Sequence, residues 1–360
     1  MNIKSLLLGS AAALAVVSGA QAADAVVAAE PEPMEYVKVC DAYGTGYFYI
    51  PGTETCLKIG GQVRYEKRFE KVGSQSASYD NHSRARLNIE AKNDSEWGTV
   101  YSWIRIQGDQ VNNGGSTVNG VDFDNGTSKK KAQDLKWYYY FGIGGLEFGN
   151  WDSQWTKFFG YGGFTDDGGV YSSDWDYTDS RQYISYTAEF GSAKVYVAAQ
   201  NDADEFYSPE DHSGADLEDL HKGRKYMPDL EAGVSATFGD WEVAGGVAYD
   251  ESAESFAVKK LVAGKFGMFG VRVMGLYSNS SQNIFFNYDG FSAIVGVEAK
   301  VTDTVTLAKD IQWWDNGDWR AVGNVNWEVA SGFSVLLEGV YSDRYDEKVK
   351  SGMLRFQRKF

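Results

Sequence analysis

From Leu57 to Phe69 the chain alternates between apolar and polar positions. Leu57, Ile59, Val63, Tyr65 and Phe69 fall on one side; Lys58, Gln62, Arg64, Glu66 and Arg68 fall on the other. A period of two with one apolar and one wet face is a β-strand lying between two media. The same rhythm returns near 83–93, 97–108, 133–142, 145–150, 181–190, 193–201, 228–238, 240–250, 255–265, 268–278, 291–300, 304–314, 319–328, 333–341 and 351–360, which predicts sixteen strands. An even number brings both ends of a closed barrel to one rim, as bacterial barrels require. The connections alternate too. Tight ones such as Phe190-Gly-Ser192, Phe238-Gly-Asp240 and Phe266-Gly-Met268 are followed by long ones such as Asp109–Ala132 and Asn201–Met227. Short turns on one rim and long loops on the other mark an all-β, antiparallel, 16-stranded transmembrane barrel with periplasmic turns and external loops.

The rhythm fails longest at Asn150–Ser180, a stretch rich in glycine, aspartate and aromatic residues with no sustained helical or strand period. A loop of that length in a compact fold is usually functional. Its aspartates (Asp152, Asp166, Asp167, Asp174, Asp176 and Asp179) cannot enter a dry core unpaired. Its aromatic residues in turn disfavour full solvation. A segment both acidic and sticky suits a water-filled barrel into which it folds, and it is expected to narrow the lumen.

Composition adds limits rather than a new picture. Aromatics at 15% with 41 Gly and only 5 Pro suit many strands and turns. The net charge of −16 disfavours a nucleic-acid partner, which would want a basic face. A mean hydropathy of −0.39 excludes a helical membrane protein but not a barrel, whose lumen and loops are polar. Residues 1–22 read as a secretory signal peptide: Lys4, an apolar Leu6–Val17 run and the small-x-small site Ala20-Gln21-Ala22. Residues 23–56 form a periplasmic lead-in carrying Cys40 and Cys56, and residues 57–360 the barrel, with 150–180 as its constriction loop. An even cysteine count in an exported chain favours a Cys40–Cys56 disulfide over a metal site, since no histidine lies nearby.

The segment Val39-Cys-Asp-Ala-Tyr-Gly-Thr-Gly-Tyr-Phe-Tyr-Ile-Pro-Gly-Thr-Glu-Thr-Cys56-Leu-Lys-Ile-Gly-Gly61 resembles the alphaproteobacterial porins, in particular the general porins of the Rhizobiales. The leader MNIKSLLLGSAAALA and the ending Leu354-Arg-Phe-Gln-Arg-Lys-Phe360 are similar to that family as well. The resemblance implies a trimeric diffusion channel in the outer membrane, with the third long loop folded into the lumen. Here that loop is Asn150–Ser180.

Such a channel needs a constriction and no reaction. Base is expected from the wall, through Arg64, Arg84, Arg86 and Arg105; acid is expected from the loop, through Asp152, Asp166, Asp167, Asp174 and Asp176. Opposed clusters would set a transverse field that orders water and penalises apolar solutes. The expected partners are a second and third copy, outer-membrane lipid and lipopolysaccharide, and small hydrophilic solutes. No cofactor, metal site or enzyme activity is expected: His82, His212 and His221 are all assigned to loops, away from any serine–carboxylate pair. Two alternatives stay open. One is a barrel adhesin or receptor. The other is a sugar-selective channel with Trp155, Phe158, Phe159, Tyr161 and Phe164 as a stacking track. One residue conflicts with the barrel: Lys309 shares the lipid-side register of Val305, Leu307 and Ile311, which a bulge or a subunit interface would resolve.

Overall fold

A computed structural model describes residues 38–74, 77–113, 135–166, 180–201, 227–344 and 347–360. The first two strands are β1 (Phe48–Tyr49), a short addition not expected from the sequence, and β2 (Cys56–Val72). Then follow β3 (Ser78–Asn93), β4 (Val100–Asn113), β5 (Leu135–Ile143), β6 (Leu146–Trp151), a one-turn helix α1 (Gln154–Lys157), β7 (Arg181–Phe190) and β8 (Ala193–Gln200). The second half holds β9 (Asp229–Phe238), β10 (Trp241–Asp250), β11 (Ser255–Phe266), β12 (Phe269–Ser278) and β13 (Gly290–Lys300). It ends with β14 (Val305–Trp314), β15 (Trp319–Ala330), β16 (Phe333–Arg344) and β17 (Glu347–Lys359).

Every strand from β2 to β17 pairs antiparallel with its chain neighbours, and β17 returns to pair with β2. Sixteen strands thus close a ring, and β1 is an appendage on β2. Closure leaves no open edge, the condition for a sheet in lipid. The outer face is apolar and bare: Val63, Val247 and Leu337 are 55%, 56% and 59% exposed. The inner face carries the charged positions of the same strands, as the alternation requires.

Strand ends differ from the expected ones on the loop side. β3 begins at Ser78 and β4 reaches Asn113, so His82 and Asp109 lie on strands rather than in loops. Above the apolar belt the outward positions become polar, as at Asn81 and Ser83, and alternation no longer reports a strand. Rim asymmetry is also uneven: β10–β11 and β14–β15 are joined on the outer side by only Glu251–Glu254 and Asp315–Asp318.

The bulge offered for Lys309 is absent. β14 keeps an unbroken register, with Lys309 facing Val297 and Gly323, and the side chain is exposed on the outer face. Lys260 on β11 is placed alike, between Gly245 and Gly275. At the β1 end, a Cys40–Cys56 disulfide pins the lead-in to the first barrel strand, with Tyr47 buried beside it. That pairing is the one expected from the sequence.

Candidate functional site: the barrel lumen

The lumen wall divides into two regions of opposite chemistry. Inward residues of β8 and β10–β16 build an apolar cluster: Tyr196, Leu261, Met274, Leu276, Ile294, Trp314 and Val322 are its larger members. Two inserted segments cover it. Trp155 and Phe159, one turn apart on and just beyond α1, supply one lid, and Phe285 and Phe286 from the β12–β13 loop supply the other. Room for Phe159 comes from paired glycines. A Cβ on Gly246 would lie 2.6 Å from its ring, and one on Gly233 3.2 Å from it. The described part of the long loop, as far as Asp166, therefore folds inward, and a second, unexpected loop joins it.

Polar tethers then carry the long loop round the inner wall. Near its start, Lys259 donates to the Trp155 carbonyl at 3.0 Å, while the Gln154 N–H donates to Glu231 at 3.2 Å. Arg272 on β12 donates to the Tyr161 carbonyl. Asp310 on β14 accepts from the Phe164 N–H at 2.9 Å, the Thr165 N–H at 2.6 Å and the Thr165 hydroxyl. Gly163 is required there, since a Cβ would lie 2.2 Å from the Asp310 carboxylate. Finally the Asp166 N–H donates to Glu338 on β16 at 2.7 Å, and its carboxylate meets Arg355 on β17.

The opposite region is a charged network spread over β17, β2, β3 and β4. Its centre is Glu66, fully buried. Arg355 Nε donates to Glu66 at 2.6 Å, Arg64 Nε lies 3.0 Å from it, and Arg68 pairs with it as well. His82 bridges outward: Nδ1 is 2.8 Å from Glu66 and Nε2 is 3.0 Å from Asp109, which also pairs with Arg84. Register explains the assembly, because Glu66 faces Arg355 on one side and His82 on the other, and Arg84 faces Arg64 and Asp109. Arg86 and Arg105 continue the base along β3 and β4, held by Gln107 and Asn88.

A closed ring of sixteen strands with an apolar exterior, a charged lumen and an inserted loop is a pore through a membrane. The profile of the porin subfamily matches residues 24–358 of the chain. This chain belongs to the porin family. It is 36% identical to porin Omp2b of Brucella canis over 381 residues, covering both chains completely, and equally so to Omp2b of Brucella abortus. Among solved structures, a mutant of the Rhodopseudomonas blastica porin aligns over 84% of this chain and 100% of its own, with 12% identity and a TM-score of 0.53. OmpF of Salmonella typhi aligns over 85% of this chain and 98% of its own, with 6% identity and a TM-score of 0.58. These two likenesses are of fold alone. The porin is thus a multi-pass outer-membrane protein forming a channel.

Within this porin the four expected wall arginines all point inward, Arg105 included: Ile104, its chain neighbour, is exposed on the outer face. Of the expected loop acids, Asp152 is buried and accepts from the Tyr161 hydroxyl at 3.0 Å, and Asp166 reaches Arg355 directly. Asp167, Asp174 and Asp176 lie outside the described residues. Glu66, Arg68 and Arg355 were not singled out in the sequence, although each sits on the wet side of its own alternating strand. Nothing in one strand's pattern says which polar residues meet across the ring seam between β17 and β2. The stacking track expected for sugar fails at two of its members, because Trp155 and Phe159 are packed away in the apolar cluster.

Proposed function

We propose that this porin is a general diffusion channel whose narrow point lies between the charged wall and the inserted loop. Arg64, Arg84, Arg86 and Arg105 supply base to that point, and Asp152, Asp166, Asp167, Asp174 and Asp176 supply acid. The observation that carries this is the path of the loop, which delivers Asp166 onto Arg355 beside Arg64 and Glu66. Charges of both signs in a low-dielectric ring focus the field, so hydrated ions and small polar solutes pass while apolar ones are rejected. No chemical step is required. Residues 1–22 direct export and are removed, residues 23–56 form the lead-in, and the mature chain works as a homotrimer amid lipopolysaccharide.

The test is planar-bilayer recording in a salt gradient. Arg64→Gln with Arg86→Gln should move the reversal potential toward cation preference, because two lumen cations are lost with the fold retained. An unmoved reversal potential in channels of normal conductance would place these arginines away from the narrow point.

A further inference from the structure

The lumen arginines are not all matched alike. Arg64, Arg68 and Arg355 converge on Glu66, and Arg84 pairs with Asp109. Arg86 and Arg105 are held through neutral groups instead. Arg86 Nε donates to Gln107 Oε1 at 2.5 Å, and Arg105 Nε donates to Asn88 Oδ1 at 2.8 Å. Among the described residues neither makes a direct ion pair, and the carboxylates nearest in effect, Asp109 for Arg86 and Asp152 for Arg105, act on them from beyond contact. An arginine anchored by Nε on an amide keeps its two terminal NH2 groups, whose fork fits a carboxylate. The two amide anchors also place like charges close together, since Arg86 faces Gln107 and Arg105 faces Asn88 two residues further along the same strand pair.

Beside these cations the wall is aromatic. Trp103 stacks on Tyr140 with centroids 5.0 Å apart and an interplanar angle of 18°. Trp151 lies 5.0 Å from Trp103 and 4.8 Å from Tyr138. The Arg105 guanidinium sits 4.7 Å from the Trp103 centroid and 4.6 Å from that of Trp151. All four rings are on inward positions and partly exposed, unlike the buried Trp155 and Phe159.

We propose that Arg86 and Arg105, with Trp103, Trp151 and Tyr138, form a solute-binding subsite for small aromatic carboxylates. The carboxylate takes the open forks of the two arginines, and the ring lies along the exposed edges of the indoles, whose faces Tyr140 and Arg105 already cover. Inorganic anions would use the forks and leave the apolar wall wet. Neutral sugars would use the rings and leave the two adjacent cations without a directly bound anion. An aromatic acid matches both halves, so it is enriched at the wall and slowed there as it passes. This deepens the channel function and rests on it.

The experiment uses the full trimer-forming protein in planar bilayers, with 4-hydroxybenzoate as probe and acetate and phenol as its charge-only and ring-only halves. 4-Hydroxybenzoate should reduce the current saturably, with acetate and phenol weaker by about tenfold or more. Arg105→Gln should raise the half-blocking concentration by about tenfold, from loss of charge-assisted hydrogen bonds. Trp103→Leu should raise it about threefold. Heat-modifiable migration of each variant checks that the barrel has formed. Equal block by acetate, no block in conducting channels, or an unchanged half-blocking concentration in both variants would overturn the subsite and leave the channel standing. Absence of any conductance from correctly folded wild-type protein would instead strike the channel function itself.

Discussion

Glu66 is the one anion on which Arg64, Arg68, His82 and Arg355 all converge, and it has no exposure to water. Removing one member of a buried ion cluster leaves the others uncompensated, at a cost of about 3–5 kcal/mol. Glu66→Gln should therefore lower the denaturant midpoint of the barrel clearly, whereas the same change at exposed Glu328 should leave it within error. Equal midpoints for the two variants would show that Glu66 is not the keystone of the wall. Lys309 poses the reverse case. It stands midway along β14, four residues from both Val305 and Trp313, on the outer face with no bulge to turn it inward. A lysine at the bilayer midplane costs about 2–4 kcal/mol, so Lys309→Leu should stabilise the folded barrel by that order in unfolding from lipid vesicles. Loss of stability on the same change would mean that a neighbouring subunit contacts the amine.

At the scale of elements, the long loop is stapled rather than draped. Its stretch at Phe164 and Thr165 depends on Asp310, which accepts two backbone N–H groups and one hydroxyl there. Asp310→Ala should free that stretch while the cluster around Trp155 and Phe159 still anchors the start of the loop. Open-channel noise should rise and mean conductance increase, with the barrel as stable to heat as before; quiet, unaltered channels would contradict the staple. Much of this architecture could be read from alternation, since all sixteen ring strands, and the inward turn of the chain after Asn150 as far as Asp166, fall where period two holds and where it fails. Alternation reports a difference between two faces, however, not what each face meets. It therefore ended β3 short of His82 and β4 short of Asp109, where both faces are polar. It also gave no warning of the apolar cluster inside the barrel, where Leu261 is followed, and Met274 preceded, by the equally apolar outward residues Val262 and Val273. Nor could it bring Arg355 to Glu66, residues 289 apart in sequence that meet only when the ring closes.

At the scale of the molecule, the lumen is lopsided: one side filled by apolar side chains and two inserted loops, the other lined by a charged network. The two halves call for different effects when the long loop is shortened. Excising Gly162–Ser173 leaves α1, Trp155 and Phe159 in place, so the filled side and every strand pairing survive and the barrel should assemble. The charged side changes. Arg355 loses its contact with Asp166, so one negative charge is gone from beside Arg355 and Arg64. Asp310 and Glu338 lose their loop donors as well; Asp310 stands on β14, while Glu338 on β16 stays beside Arg355 and leaves one acid at the charged wall. The base thus dominates the narrow point, and both conductance and preference for anions should rise. Recordings that show wild-type conductance and an unchanged reversal potential in a salt gradient would put the excised segment outside the ion path. A rise in conductance with a shift toward cations would place Asp310 and Glu338, rather than the arginine wall, at the narrow point.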